Sequence, residues 1–473
     1  MRGTADAVTI PHPRAGGLRA VAGRAAAGRA GAVRPRPCWR RAAIVATICL
    51  SSVPPPAHGR QVPADVLVQR LGSGSSIVRD QAERDLVAVG PAALPAVIAA
   101  RDTASGETAF RLEVIQRHLE GRAAGQAVEP ASVSVALRDV PARDALAAVF
   151  TQSSSTIELA AAVASGPAGD RLVSVAIDRG TFWEAVDAVL DRAGLSLEYG
   201  DRPPGLVIVD RPGPTDVAVA AGPLRVSVAG VEPTGPPPAA DRPRPRGARV
   251  TLRVAWEPRL EPLLLRLPVR SVVAEGPAGE AVPPAQRLAV IEAAIPGGRP
   301  WLDLPLSLTA AATPLEALGM LRGTIVVWIA GLEHEFQWRS SGTDGGMPAT
   351  TARGGATQRI AAAEVSLLEV VRQPGRLSVR TRVTYAAPSE ALASHHTWLA
   401  SRGVQACLPD GSPLDRIEQR VESRTEQGMT ATASFATDPG GPSPAVLIRW
   451  RLPIAIHEVP IDFALRGVPL PAP

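Results

Sequence analysis

Residues 133–150 read VSVALRDVPARDALAAVF, and residues 173–190 read VSVAIDRGTFWEAVDAVL. The offset is forty residues, with identity at Val133/Val173, Ser134/Ser174, Val135/Val175, Ala136/Ala176, Ala145/Ala185, Ala148/Ala188 and Val149/Val189. Each copy opens with alternating apolar and polar residues, the period of a half-buried strand. It then passes through a turn into apolar spacings of three and four, the period of a helix. Residues 156–159 add a short strand after the first copy, and residues 195–199 and 206–209 add a hairpin after the second. The pattern predicts a duplicated βαβ unit over 131–211, a compact α+β layer with Phe150, Phe182, Trp183 and Leu190 in its core.

Upstream, residues 60–122 carry helical periodicity. Val66, Leu67 and Leu71 mark a first short helix, and Gly72-Ser73-Gly74-Ser75-Ser76 interrupts it with cap-forming residues. Ala82, Leu86 and Val89 share one face of a second helix, which Gly90-Pro91 ends. Leu94, Val97 and Ile98 belong to a third, and Phe110, Leu112, Ile115 and Leu119 to a fourth. Downstream, Val250, Leu252, Val254 and Trp256 alternate with Thr251, Arg253 and Ala255, and Leu377, Val379, Thr381, Val383 and Tyr385 with Ser378, Arg380, Arg382 and Thr384. Such alternation gives sheets with one wet face. Residues 224–258 and 363–388 form a second, weaker duplication. The expected fold is therefore multidomain α+β: a helical segment, the duplicated unit, then two tandem antiparallel β-sandwich domains over 222–340 and 359–473. A glycine-rich loop, 340–358, would join the sandwiches, and the proline-rich stretch 232–246 would be an exposed loop.

On these residues, 131–210 resembles the short N-terminal domains of secretins and TonB-dependent transducers, carried by "DVPARDALAAVF" and "GTFWEAVDAVLDRAGLSLEY". The stretch "VRDQAERDLVAVGPAALPAVIAA" is similar to a HEAT-type helical repeat, one or two repeats long. Together with the β-rich remainder, the arrangement resembles large exported protein families of planctomycete-type bacteria. The chain departs from secretins and transducers by lacking their membrane barrels, so the resemblance implies neither pore formation nor siderophore uptake.

The leader and the cysteines agree with export. The 473 residues contain no Lys and no Asn, and all fifty basic residues are Arg, beside abundant Ala, Gly and Pro. The net charge of +5 misleads: residues 1–59 hold nine Arg against Asp6 alone, leaving 41 Arg against 44 acids in residues 60–473. A nucleic-acid footprint would need the excess on a folded domain. Arg40-Arg41, the apolar run 42–50 and the small residues Ala57-His58-Gly59 read instead as a signal peptide with a long basic leader, and a mature chain starting near Arg60. No stretch of the mature chain is long enough for a spanning helix. Cys38 and Cys49 would leave with the signal, so Cys407 stands alone as a small core residue.

Nucleophile elbows, phosphate loops, dinucleotide fingerprints and paired-cysteine metal spacings are absent from the sequence. The candidate metal ligands are His334, His395 and His457, which could meet on zinc only if the two sandwiches packed closely. His334 shares its strand phase with Leu332, Phe336 and Trp338, the pattern of a core or edge histidine. Glu333, Glu335 and Glu369 read as a solvated face. The expectation is a protein without metal or cofactor that is not an enzyme: an exported scaffold or interaction module of the bacterial envelope, with an envelope protein as partner. The alternatives are a periplasmic accessory of a secretin or pilus-type secretion system, and a metal-dependent hydrolase.

Overall fold

The computed structural model describes residues 62–101, 103–201, 204–211, 217–234, 247–295, 299–310, 315–341, 351–361, 363–386, 398–439 and 445–470. The signal-like leader, most of the proline-rich stretch, and His395 with its neighbour His396 lie outside the described residues. The described chain is mixed α+β, dominated by strands in several antiparallel sheets, with a few helices.

Four helices come first: α1 (Ala64–Arg70), α2 (Ser76–Val89), α3 (Leu94–Arg101) and α4 (Gly106–Ala127). Gly90, at φ 80°, ends α2 in a conformation that favours glycine, and Pro91 opens the 3-10 turn leading to α3. Leu67, Leu71, Ala82, Leu86, Leu94, Val97, Leu112, Ile115 and Leu119 make the shared core. Phe110, expected there, is 64% exposed. It lies two positions from Leu112, about 200° around the helix and off the stripe of Leu112, Ile115 and Leu119. At its far end α4 leaves this core, and Ala124 and Val128 join the core of the β-rich region.

The duplicated unit follows as β1 (Ser132–Pro141), α5 (Ala142–Ser153), β2 (Glu158–Leu159), α6 (Ala161–Ala164), β3 (Leu172–Thr181), α7 (Phe182–Ala193), β4 (Ser196–Asp201) and β5 (Pro204–Val209). The two copies match to fine detail. Strands β1 and β3 show the same burial pattern residue for residue, and the equivalent residues Asp139 and Arg179 both take positive φ, 49° and 53°. The repeated serine has a structural reason: Ser134 Oγ accepts the Arg179 N–H at 2.9 Å, and Ser174 Oγ accepts the Asp139 N–H at 3.0 Å. This exchange relates the copies by a local two-fold axis, and two equivalent strands meeting across such an axis run antiparallel. The βαβ expectation is corrected here: β1 pairs β3 antiparallel in a sheet of two, while β2, β5 and β4 form a separate sheet in which only β2–β5 is parallel. Phe182 and Trp183 are fully buried and Leu190 is buried, whereas Phe150 is only partly so.

The β-rich region contains three sheets. One has four strands: β6 (Ala218–Ala221), β7 (Leu224–Thr234), β8 (Gly247–Trp256) and β12 (Trp301–Leu308), in the order β12-β8-β7-β6. Another has five: β14 (Thr351–Ile360), β15 (Ala363–Gln373), β16 (Arg376–Tyr385), β18 (Arg416–Thr425) and β19 (Gly428–Ala436), in the order β14-β15-β16-β19-β18. The third comprises β9 (Leu264–Pro268), β10 (Val273–Glu275), β11 (Val290–Ala294), β13 (Ala317–Ser340), β17 (Gln405–Cys407) and β20 (Val446–Pro469), with a short helix α8 (Trp398–Ser401) before β17. The duplicated stretches are the hairpins β7–β8 and β15–β16, and each carries one register shift, at 228–230 and at 367–369. Residues 351–360 are strand rather than loop, and Gly354 and Gly355 fall at a register shift between Arg353 and Ala356, a common use of glycine in a strand.

Strands β13 and β20 are 24 residues each and pair antiparallel from Ala317↔Pro469 to Ser340↔Val446. At about 3.3 Å per residue this ladder is about 80 Å long. One half of it covers the four-stranded sheet, with Ile325, Val327, Ile329, Ile461, Phe463 and Leu465 in the first β core. The other half covers the five-stranded sheet, with Phe336, Trp338, Ile448, Trp450 and Leu452 in the second. Residues 222–340 therefore do not complete the first core, because the end of the last strand is in it.

Candidate functional site: an arginine-lined cleft between the two β cores

Alternation on β20 sends Ile448, Trp450 and Leu452 into the second core and puts Arg449 and Arg451 on the opposite face. Opposite Arg451 on β13 stands Glu335. This face, the 256–262 connection after β8, Arg299 before β12, the 402–405 segment after α8 and Arg416 at the start of β18 enclose a half-open cleft of about 820 Å³. That size falls in the range of small-molecule and peptide pockets.

Charge in the cleft is lopsided. Arg299, Arg402, Arg416, Arg449 and Arg451 line it against Glu261 and Glu335. Glu333, beside it, binds Arg402 Nη1 and accepts Arg451 Nε at 2.5 Å, while Arg402 Nη2 lies 3.4 Å from Glu261. The Arg402 carbonyl accepts Trp450 Nε1 at 2.6 Å, which ties this arginine to the core. Glu333 is thus a pinned, largely buried bridge and not part of a solvated face. Two arginines have weaker anchors. Arg416 donates to the neutral Gln419 Oε1 at 3.0 Å, and Arg449 Nε is buried without a hydrogen bond, 3.9 Å from Glu335. A pocket with a net excess of guanidinium groups attracts oxyanions, which the planar fork binds two hydrogen bonds at a time.

A second cleft, of about 1,040 Å³, lies where the α+β layer meets the four-stranded sheet. Two of its arginines, Arg225 and Arg253, are held by carboxylates. Arg225, nearly buried, donates through Nε to both Asp187 oxygens at 3.0 Å and through Nη1 to Tyr199 Oη at 2.8 Å. Arg253 grips Asp303 with two bonds of 2.8 Å and stacks on the Tyr199 and Trp301 rings at 4.7 and 4.6 Å. Trp183 Nε1 donates to the Pro223 carbonyl at 3.0 Å across the same boundary. These contacts weld the two layers together.

The histidines do not converge. His457 pairs with Ile329 across the ladder, five residues from His334, which is about 17 Å along the strand. His334 stacks edge-on against Phe336 with ring centroids 4.9 Å apart, and burial lowers its pKa against the pull of Glu335. His457 packs against Gly331, its Nε2 is buried without a hydrogen-bond partner, and burial lowers its pKa too. His395 lies outside the described residues. Among the described residues, no group of three or more His, Cys, Asp or Glu is placed to hold a metal ion. Trp183, Trp256, Trp301, Trp328, Trp338, Trp398 and Trp450 are all buried, so none forms an open stacking platform. Cys407 is buried as well. No described helix is long and apolar enough to cross a membrane.

Sequence reading missed the cleft. Its arginines lie between positions 299 and 451, and the alternation of Arg449 and Arg451 with core residues looks like any wet strand face. No family model matches the chain, and neither does any curated protein. Among solved structures, the crystal structure of the conserved domain protein from Bacillus anthracis is similar over 53% of this chain and 90% of its own, at 8% identity and a TM-score of 0.17. A likeness that low carries no argument about fold or function.

Proposed function

We propose that the chain is an exported, non-catalytic interaction module of the bacterial envelope, built to hold a partner rather than to turn over a substrate. The observation that carries this reading is the arginine-lined cleft between the two β cores. The ladder that both cores share supplies one wall of the cleft, so that wall is preformed and binding does not have to order it. Its chemistry is recognition chemistry: guanidiniums bind anions but are too basic to act as proton-transfer groups near neutrality. The leader's arginines, apolar run and small residues support export, and the resemblance of 131–210 to secretin and TonB N-terminal domains supports a docking role in the envelope.

Fractionation of native host cells tests this reading. Protein in the envelope fraction, starting near Arg60 and crosslinked to a stoichiometric partner, is the expected result. A cytosolic protein with residues 1–40 intact contradicts export. Stoichiometric zinc that disappears on replacing His334, His395 or His457 contradicts the non-catalytic class and favours a hydrolase.

A further inference from the structure

We infer that the cleft between the two β cores takes an extended acidic peptide segment, with carboxylates at alternate positions and apolar residues between them. This inference rests on the proposed role as an interaction module and names the chemistry of the partner.

Charge gives the first argument. Residues 60–473 hold 41 arginines against 44 acids, yet among the described residues five arginines and two acids line the cleft. A positive site in a net-negative body is a local feature that bulk composition does not produce. Within it, Glu333 and Glu261 engage Arg402 and Arg451, while Arg416 has a neutral partner and Arg449 a carboxylate no closer than 3.9 Å. The unmet demand is for anionic oxygen at Arg416 and Arg449.

Spacing and the apolar lining give the second. Arg449 and Arg451 are two apart on one face of β20, so their Cα atoms stand about 7 Å apart. Alternate side chains of an extended peptide have the same repeat, which lets successive carboxylates meet successive guanidiniums. The lining also carries apolar residues, Leu260, Pro262, Ile295 and Leu414 among them. A carboxylate-bearing chain with apolar side chains satisfies both surfaces, whereas a uniformly charged glycan would leave the apolar part uncovered.

The test uses the full mature chain and fluorescence anisotropy with three labelled probes: an alternating Glu-Leu octapeptide, its Gln-Leu counterpart, and a sulfated oligosaccharide. The expected result is saturable binding of the Glu-Leu peptide that weakens as salt rises, with the Gln-Leu peptide at least roughly tenfold weaker. Arg416→Gln with Arg449→Gln should weaken Glu-Leu binding by roughly tenfold or more while thermal unfolding stays unchanged; Arg416→Gln alone, at an exposed position, guards against loss of fold. Equal binding of the two peptides, an unchanged affinity in the double variant, or tighter binding of the oligosaccharide than of the peptide would overturn the inference. If the native partner is still captured by the double variant, the cleft assignment fails while the module reading stands. A protein with no partner at all fails both.

Discussion

At the scale of single residues, the most consequential group is one with no functional look in the sequence. Glu257 has no exposed side-chain surface, accepts the Ala131 N–H at 3.0 Å and takes Arg259 Nε at 2.6 Å. Arg259 also donates to the Ala127 carbonyl at 3.3 Å and to that of Glu129. The pair fastens the chain where α4 gives way to β1. Burial raises the Glu257 pKa, against the opposing pull of the Ala131 N–H and Arg259. Removing the carboxylate leaves the Ala131 N–H without its acceptor and Arg259 with carbonyl partners alone, so Glu257→Ala should cost about 1–3 kcal/mol, read by urea unfolding. A loss below about 1 kcal/mol would show that the site solvates readily. The histidines give a pH prediction. Burial depresses the pKa of His334 and His457 in the folded state, so the unfolded chain binds more protons as pH falls through the ordinary histidine range. Their contribution is present above about pH 6.5 and is lost on acidification toward the folded pKa. Unfolding of the wild type at pH 7.5 and 5.5 should show a larger loss than the double variant His334→Gln/His457→Gln. Equal losses would remove the histidines from the account.

At the scale of elements, the ladder between β13 and β20 changes phase midway. Approaching the midpoint, its first-core residues on β13 are odd-numbered, Ile325, Val327 and Ile329, and beyond it the second-core residues are even-numbered, Phe336 and Trp338. Strand β20 flips likewise between Ile454 and Ile461. The register shows the cause: pairing runs Ala330↔Ile456, Leu332↔Ala455 and Glu333↔Pro453, so Gly331 and Ile454 are each an extra residue and the two bulges cancel. The β7–β8 and β15–β16 hairpins were legible as alternation because each buries one face of a single sheet. The bulges were not, since a one-residue phase slip looks like the end of one strand, and the weaker duplication of 224–258 and 363–388 pointed instead to two tandem domains. Gly331 sits where a side chain cannot: a Cβ there would lie 2.5 Å from His457 Cδ2 and 2.7 Å from the Glu120 carbonyl oxygen. Gly331→Ala should therefore cost about 1–3 kcal/mol and loosen α4 from the ladder, visible as faster hydrogen exchange in residues 106–127. Unchanged exchange there would mean that α4 does not depend on this close approach.

At the scale of the whole molecule, the sequence disclosed the parts better than their assembly. The forty-residue repeat located the α+β layer because both copies use the same local chemistry, down to the paired serines 134 and 174. The cleft was illegible because its arginines are scattered over some 150 positions and gain meaning only when the ladder brings them together. Its proposed role can be tested in the native envelope by placing a photoreactive amino acid at Gln405, exposed in the cleft lining, and at Leu288, 95% exposed and absent from that lining. Gln405 is expected to capture one dominant partner through an acidic segment, with capture falling when Arg416 and Arg449 are replaced by glutamine, and Leu288 is expected not to capture it. Equal capture from both positions, or capture from Gln405 that ignores the two arginines, would contradict the proposed role.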